Sequence, residues 1–150
     1  MRVDVWSPIL VKHINAIERV QKYFTRKLYC MQELVYLDRL AVLNLDSLEM
    51  RRLKLDLRMY YKIIHNDVAL SADYYFHFDD RELNTRFYDP SNLLKPFLRT
   101  KLSEQNFFNR CIDAWNKIPV AIRNAHSFNV FKLALNTVDF TNFMVGQFSH

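Results

Sequence analysis

The chain has 150 residues, half of them hydrophobic, and a formal net charge of +5; that is ample apolar content for a core and excludes a disordered chain. Its single glycine, Gly146, against a usual share of about 7%, excludes Rossmann and P-loop sites, whose backbones reach phosphate through glycines. Cys30 and Cys111 have no CxxC partner and the five histidines show no HxxxH spacing, so the sequence assembles no zinc site.

Charge is uneven along the chain. Residues 1–66 hold 12 Lys/Arg and 7 Asp/Glu, a balance of +5. Residues 67–100 hold 4 and 6, and residues 101–150 hold 5 and 3, giving −2 and +2. A basic first half points to a polyanionic partner. The start MRVDVWSPIL is too polar for a secretory signal, and no uncharged apolar run approaches the roughly 20 residues that cross a bilayer. The expectation is an intracellular chain, cytoplasmic or nuclear, with no membrane and no small-molecule substrate.

In chain order, Ser7-Pro8 reads as a helix start, with Ser as cap and Pro at the first helical position. Residues 9–28 follow with helical period: Leu10, Ile14, Ile17, Val20 or Gln21, Phe24 and Leu28 share one face. Lys12, Arg19, Lys22 and Arg26 fall mostly on the other. Residues 34–43 form a shorter helix with Tyr36, Leu37, Leu40 and Leu43 as its apolar side, broken by Asn44-Leu45-Asp46. Ser47 then caps a third helix that runs to about His65, with Glu49 well placed for the dipole of its first turn. Leu53, Leu57, Tyr60, Tyr61 and Ile64 are its expected buried stripe, with Arg51, Arg58 and Lys62 on a more polar flank.

Residues 67–102 are less regular. A short helical turn is expected at 72–78, then a long ordered loop with extended pieces over 79–96, which carries two prolines. Ser103 is a further cap candidate, and residues 106–117 are helical with Phe107, Phe108, Cys111, Ile112 and Trp115 inward. Pro119 stops or restarts the helix, and Ser127 caps a last one with Phe128, Phe131, Leu133 and Leu135. From Phe140 onward there is no clear period. The fold class is mainly α, about five or six helices with one long irregular segment. The natural divisions are 1–66, 67–102 and 103–150, within one compact unit.

No constellation carries catalysis. Asp79-Asp80 is an acidic pair without a placed third carboxylate, and His65 and His126 sit beside helix ends with no nucleophile or paired carboxylate. Trp6 and Trp115 read as core anchors. The functional candidates are the basic helix faces, Lys12, Arg19, Lys22 and Arg26 on one helix and Arg51, Arg52, Lys54, Arg58 and Lys62 on another. Spacings of three, four and seven align such residues to follow a phosphate backbone.

Several segments, in this order, carry a resemblance. They are Val5-Trp6-Ser7-Pro8; Ile14 with Ile17-Glu18-Arg19-Val20-Gln21-Lys22 and Phe24-Thr25-Arg26; Tyr36 with Arg39-Leu40; Leu45 with Ser47-Leu48-Glu49 and Arg51-Arg52; and Asp56-Leu57 with Tyr61-Lys62-Ile63-Ile64-His65. Later come Thr85-Arg86, Phe107-Phe108-Asn109-Arg110, Trp115-Asn116-Lys117-Ile118-Pro119, and Ser127 with Phe131-Lys132. The set resembles the C-terminal region of reverse transcriptases from jockey-like and related non-LTR (LINE-type) retrotransposons, over about residues 3–135.

The resemblance implies a helical thumb-like bundle lying beyond the palm of an RNA-directed DNA polymerase. Its implied role is to grip the template–primer duplex of RNA and DNA through Lys12, Arg19, Lys22, Arg26, Arg51, Arg52, Arg58 and Lys62. The palm aspartates that hold two magnesium ions in such polymerases are not in this stretch. The expectation is therefore a fragment that is not an enzyme and holds no cofactor or metal. The alternative is a degenerate transposon-derived fragment without activity, or one reused as a protein-interaction module. The resemblance also makes Met1 look like an arbitrary start, with the palm-facing surface left open.

Three departures from the family pattern concern turns. Glycine is common after the first long helix, where Tyr29-Cys30 stand; after the His of the third, where Asn66 stands; and after Thr-Arg in the loop, where Phe87 follows Thr85-Arg86. Either these turns are rebuilt, or a non-glycine residue takes a left-handed backbone at a cost on the order of 1 kcal/mol, less for Asn.

Overall fold

A computed structural model describes Pro8 and residues 10–79, 91–97 and 99–146. The expectations for Ser7, Trp6, Asp80, Thr85, Arg86 and Phe87 lie outside the described residues. The chain is mainly helical. Three elements dominate its first half: α1 (Val11–Arg26), α2 (Tyr36–Val42) and α3 (Leu48–Ile64). Six shorter helices follow: α4 (Ala72–Tyr75), α5 (Lys101–Glu104), α6 (Phe107–Arg110), α7 (Ile112–Lys117), α8 (Val120–Arg123) and α9 (Phe128–Ala134). Two 3₁₀ turns, Leu135–Thr137 and Thr141–Phe143, come last. Among the described residues, extended pairing is limited to one antiparallel bridge between Phe78 and Leu93. No helix among them is long and apolar enough to cross a membrane.

The helix expected over 106–117 is present as α6 and α7, with Cys111 non-helical between them. Asn106 caps α6 by accepting the N–H of Phe108 at 3.2 Å. Ser47 caps α3, its Oγ accepting the Met50 N–H at 3.2 Å, and Ser127 caps α9 through the Val130 N–H. The first helix starts later than Ser7-Pro8 suggests: Leu10 is its N-cap residue and makes no side-chain cap bond.

Contacts group the chain into two compact units, residues 1–53 with 140–150, and residues 54–139. These groups follow packing, whereas the divisions at 66 and 102 follow composition. The boundary falls inside α3, between Leu53 and Lys54.

In the first unit, the inward face of α1 corrects the expected stripe. Leu10 and Phe24 are 51% and 65% exposed, while Ile14, Glu18 and Thr25 are buried. The register is polar because α1 is held by hydrogen bonds as well as by apolar packing. Glu18 accepts the hydroxyl hydrogen of Tyr36, and its two oxygens lie 3.1 and 3.0 Å from the N–H of Leu48. Thr25 accepts from Arg39 Nε at 3.2 Å and donates to the Gln21 carbonyl at 2.9 Å. On α2, Arg39 therefore turns inward and Leu37 outward, the reverse of the hydrophobicity order. Glu49 closes the unit by accepting the N–H groups of Val145 and Gly146 at 2.9 and 3.0 Å.

The second unit has an aromatic core. Tyr60 packs against Phe76, Phe107 and Trp115, and Tyr61 stacks on Phe131 with centroids 4.3 Å apart. Leu57, Tyr60, Ile63 and Phe131 are fully buried, with Ile63 rather than Ile64 completing the inward face of α3. Tyr60 and Tyr61 direct their hydroxyls to the carbonyls of Phe107 and Ala125, at 2.9 and 2.6 Å. Each ring is thus buried without stranding its polar end.

The turns resolve the glycine question. Cys30, Asn44 and Asn66 have φ of 60°, 51° and 57°. After α3, the N–H of Asp67 reaches the Lys62 carbonyl at 2.8 Å and that of Asn66 reaches Ile63 at 3.2 Å, a Schellman closure around Asn66. Asn44 closes α2 the same way, with Leu45 N–H on Leu40 at 2.9 Å. Cys30 sits in a turn closed by the Met31 N–H on the Leu28 carbonyl. Cys30 and Asn66 therefore take the left-handed backbone as non-glycine residues.

Candidate nucleic-acid interface

Four α1 residues, Arg19, Lys22, Tyr23 and Arg26, are spaced i, i+3, i+4 and i+7 and so rise along one helical face. Together with Tyr36 and Arg39 of α2 and Gln32, Leu34 and Val35 of the intervening turn, they line a hollow of about 400 Å³. Among the described residues, none of those lining it is acidic. Arg19 and Arg26 are exposed and Lys22 is half-buried. Lys22 Nζ stands 5.4 Å from the centroid of the Tyr36 ring.

The floor is fixed by Arg39. Its Nη1 donates to the Leu34 carbonyl at 2.6 Å, its Nη2 to the Lys22 carbonyl at 3.4 Å and its Nε to Thr25. One guanidinium thereby joins the last turns of α1 to the start of α2, and its charge stays beside the hollow. Its Cζ lies 5.6 Å from the Tyr36 ring centroid, a cation–π contact that steadies both groups. Burial, followed by the hydrogen bond to Glu18, pushes the Tyr36 hydroxyl far above its usual range, so Tyr36 is a neutral donor at any physiological pH. The mouth is different in kind: Tyr23 is 66% exposed, with Lys27 Nζ 5.3 Å from its ring centroid.

Of the eight basic candidates, the hollow gathers Arg19, Lys22 and Arg26. Lys12 is exposed on the first turn of α1 and does not line it, and neither do Arg51 and Arg52 of α3. Arg58 and Lys62 belong to the second unit. Both are half-buried, and Lys62 Nζ sits 4.4 Å from the Phe128 ring centroid. Lys54 is buried. Sequence reasoning missed Tyr23, which the i, i+4 step from Arg19 would have flagged, and Arg39, whose inward turn depends on a partner 14 residues away.

His65, His126 and Asp79 do not line the hollow. His65 Nε2 lies 2.8 Å from the Arg123 carbonyl and must carry the hydrogen there, with its ring stacked on Tyr61 at 4.1 Å. His126 is exposed. Asp79 is buried beside the Phe78–Leu93 bridge, its N–H on the Asn92 carbonyl at 2.9 Å. Among the described residues, no three of His, Cys, Asp and Glu are grouped to hold a metal ion.

Side chains of the second unit have architectural roles. Asn116 clamps the backbone of Leu93, accepting its N–H at 2.9 Å and donating to its carbonyl at 2.8 Å. Arg110 Nε and Nη2 both donate to Asp56 Oδ2, at 3.0 and 2.7 Å. The Cys111 thiol points at the same oxygen from 3.5 Å, and burial pushes that thiol far up.

The chain matches no family model, no curated protein and no solved structure.

Proposed function

We propose that this chain grips a nucleic-acid duplex by its phosphate backbone, in the manner expected of the thumb region of a non-LTR retrotransposon reverse transcriptase, and performs no chemistry itself. The observation that carries this reading is the convergence of Arg19, Lys22 and Arg26 on one hollow that no acidic residue lines among the described ones. Cations on a helical face meet phosphates without reading bases. A thumb needs that property, because it must hold whatever sequence is being copied. In this reading polymerisation, with its magnesium ions, belongs to a palm outside these residues.

The test is fluorescence-anisotropy titration of the full chain with a labelled 16-base-pair RNA–DNA hybrid across 50–300 mM salt. Three phosphate contacts give a slope of log K against log salt of about −2.7. Replacing Arg19, Lys22 and Arg26 together by Ala should flatten it toward zero.

A second reading, an interaction module or inactive remnant of the same kind of element, draws on exposed apolar residues of the first unit. Val20, Phe24 and Tyr29 are 68%, 65% and 92% exposed. Weak binding that ignores salt, or none, would favour it.

A further inference from the structure

We infer that the hollow between α1 and α2 receives one unpaired nucleotide of a single strand leaving the duplex. This inference rests on the nucleic-acid reading above and narrows it.

Size comes first. A space of about 400 Å³ lies at the small end of the roughly 300–1,000 Å³ typical of small-molecule sites. Along the helix axis, Arg19 and Arg26 are about 10.5 Å apart, from seven steps of 1.5 Å. A duplex can run its phosphates along the α1 cations at the rim, but its base faces are hidden by stacking and cannot enter a space of this size. The volume and the spacing suit one nucleotide whose base has left the stack.

The lining divides by chemistry in the same sense. Arg19, Lys22 and Arg26 offer three cations on one wall for a phosphate. Tyr23 and Val35, 66% and 53% exposed, offer an aromatic ring and an aliphatic wall of the kind a base covers. Gln32 is exposed and adds an amide able to meet any base edge. Arg39 and Tyr36 are held by their own hydrogen bonds, so the floor needs no rearrangement on binding. An anion alone would need the cations but not the aromatic wall, and an apolar ligand would not need the cations. A nucleotide uses both.

The experiment compares three labelled probes on the full chain at one salt concentration: a blunt RNA–DNA hybrid, the same hybrid with a four-nucleotide single-stranded overhang, and oligothymidylate of 12 nucleotides. The overhang hybrid should bind about tenfold tighter than the blunt one. Tyr23→Ala should lose about tenfold on the overhang and oligothymidylate probes, in line with the cost of removing one base–aromatic stack, and clearly less on the blunt hybrid. Tyr23→Phe should keep the affinity, and unchanged far-ultraviolet circular dichroism should show that both variants fold. Equal binding of blunt and overhang probes with no effect of Tyr23→Ala would overturn the single-strand inference while leaving backbone gripping intact. Displacement of oligothymidylate by an equal concentration of thymidine monophosphate would overturn it in favour of a free-nucleotide site. Absence of salt-dependent binding by every probe would overturn both readings together.

Discussion

Glu18, in the middle of α1, accepts the backbone N–H of Leu48 at the first residue of α3, from 30 positions away. The same carboxylate receives the Tyr36 hydroxyl. One buried acid thus satisfies a free helix-start donor and a buried phenol at once. Glu18→Ala leaves both without an acceptor and should cost about 3 kcal/mol. Glu18→Gln, which keeps an acceptor oxygen, should cost clearly less. Urea midpoints of the three proteins would check this order, and equal losses in the two variants would contradict it.

The left-handed backbone at Cys30 leads to a gain rather than a loss. Glycine removes the Cβ clash at φ 60°, so Cys30→Gly should stabilise by about 0.5–1 kcal/mol even though the unfolded chain gains freedom. Asn tolerates this conformation better, so Asn66→Gly should change stability by only a few tenths of a kcal/mol. Thermal midpoints of both variants would show the difference, and a fall in the Cys30→Gly midpoint would count against strain at that turn.

Asp56 and Arg110 are 16% and 13% exposed at their side chains and 2.7 Å apart. Removing the carboxylate takes away the acceptor that the Arg110 guanidinium and the Cys111 thiol share. Asp56→Ala should therefore cost about 3 kcal/mol. A double-mutant cycle with Arg110→Ala should return a coupling well above the roughly 1 kcal/mol ceiling of surface pairs.

Alkaline pH should unfold the chain. Burial raises the Tyr60 hydroxyl and the Cys111 thiol far above their ordinary values of 10.0 and 9.0, and Tyr36 behaves likewise. Above those ordinary values the unfolded chain releases protons that the folded chain retains, so stability falls as pH rises. Urea midpoints should be higher at pH 8 than at pH 10.5. At pH 8 a chromogenic disulfide reagent should find one fast thiol per chain, Cys30, which is exposed, while Cys111 reacts only on unfolding.

Helix starts were legible at Ser47 and Ser127, whereas α1 begins at Val11 rather than at Ser7-Pro8 and Asn106, not Ser103, caps α6. The basic triad of the hollow was legible too, because residues three, four and seven apart share a face. The inward face of α1 was not. Hydrophobicity chose Leu10 and Phe24, but the register is set by Glu18 and Thr25, whose partners Leu48 and Arg39 lie on other helices. Periodicity carries no information about such pairings. The hollow needs Tyr36 and Arg39 as well as α1, so its existence was equally hidden, although its cations were not.

The division inside α3 sets how the chain can be cut. A break after residue 66, where the composition changes, would part Tyr60 from Phe107 and Trp115, and Tyr61 from Phe131. A break at residue 53 would cost the helix its first turns and its Ser47 cap. Limited proteolysis should therefore spare α3 as long as either core survives.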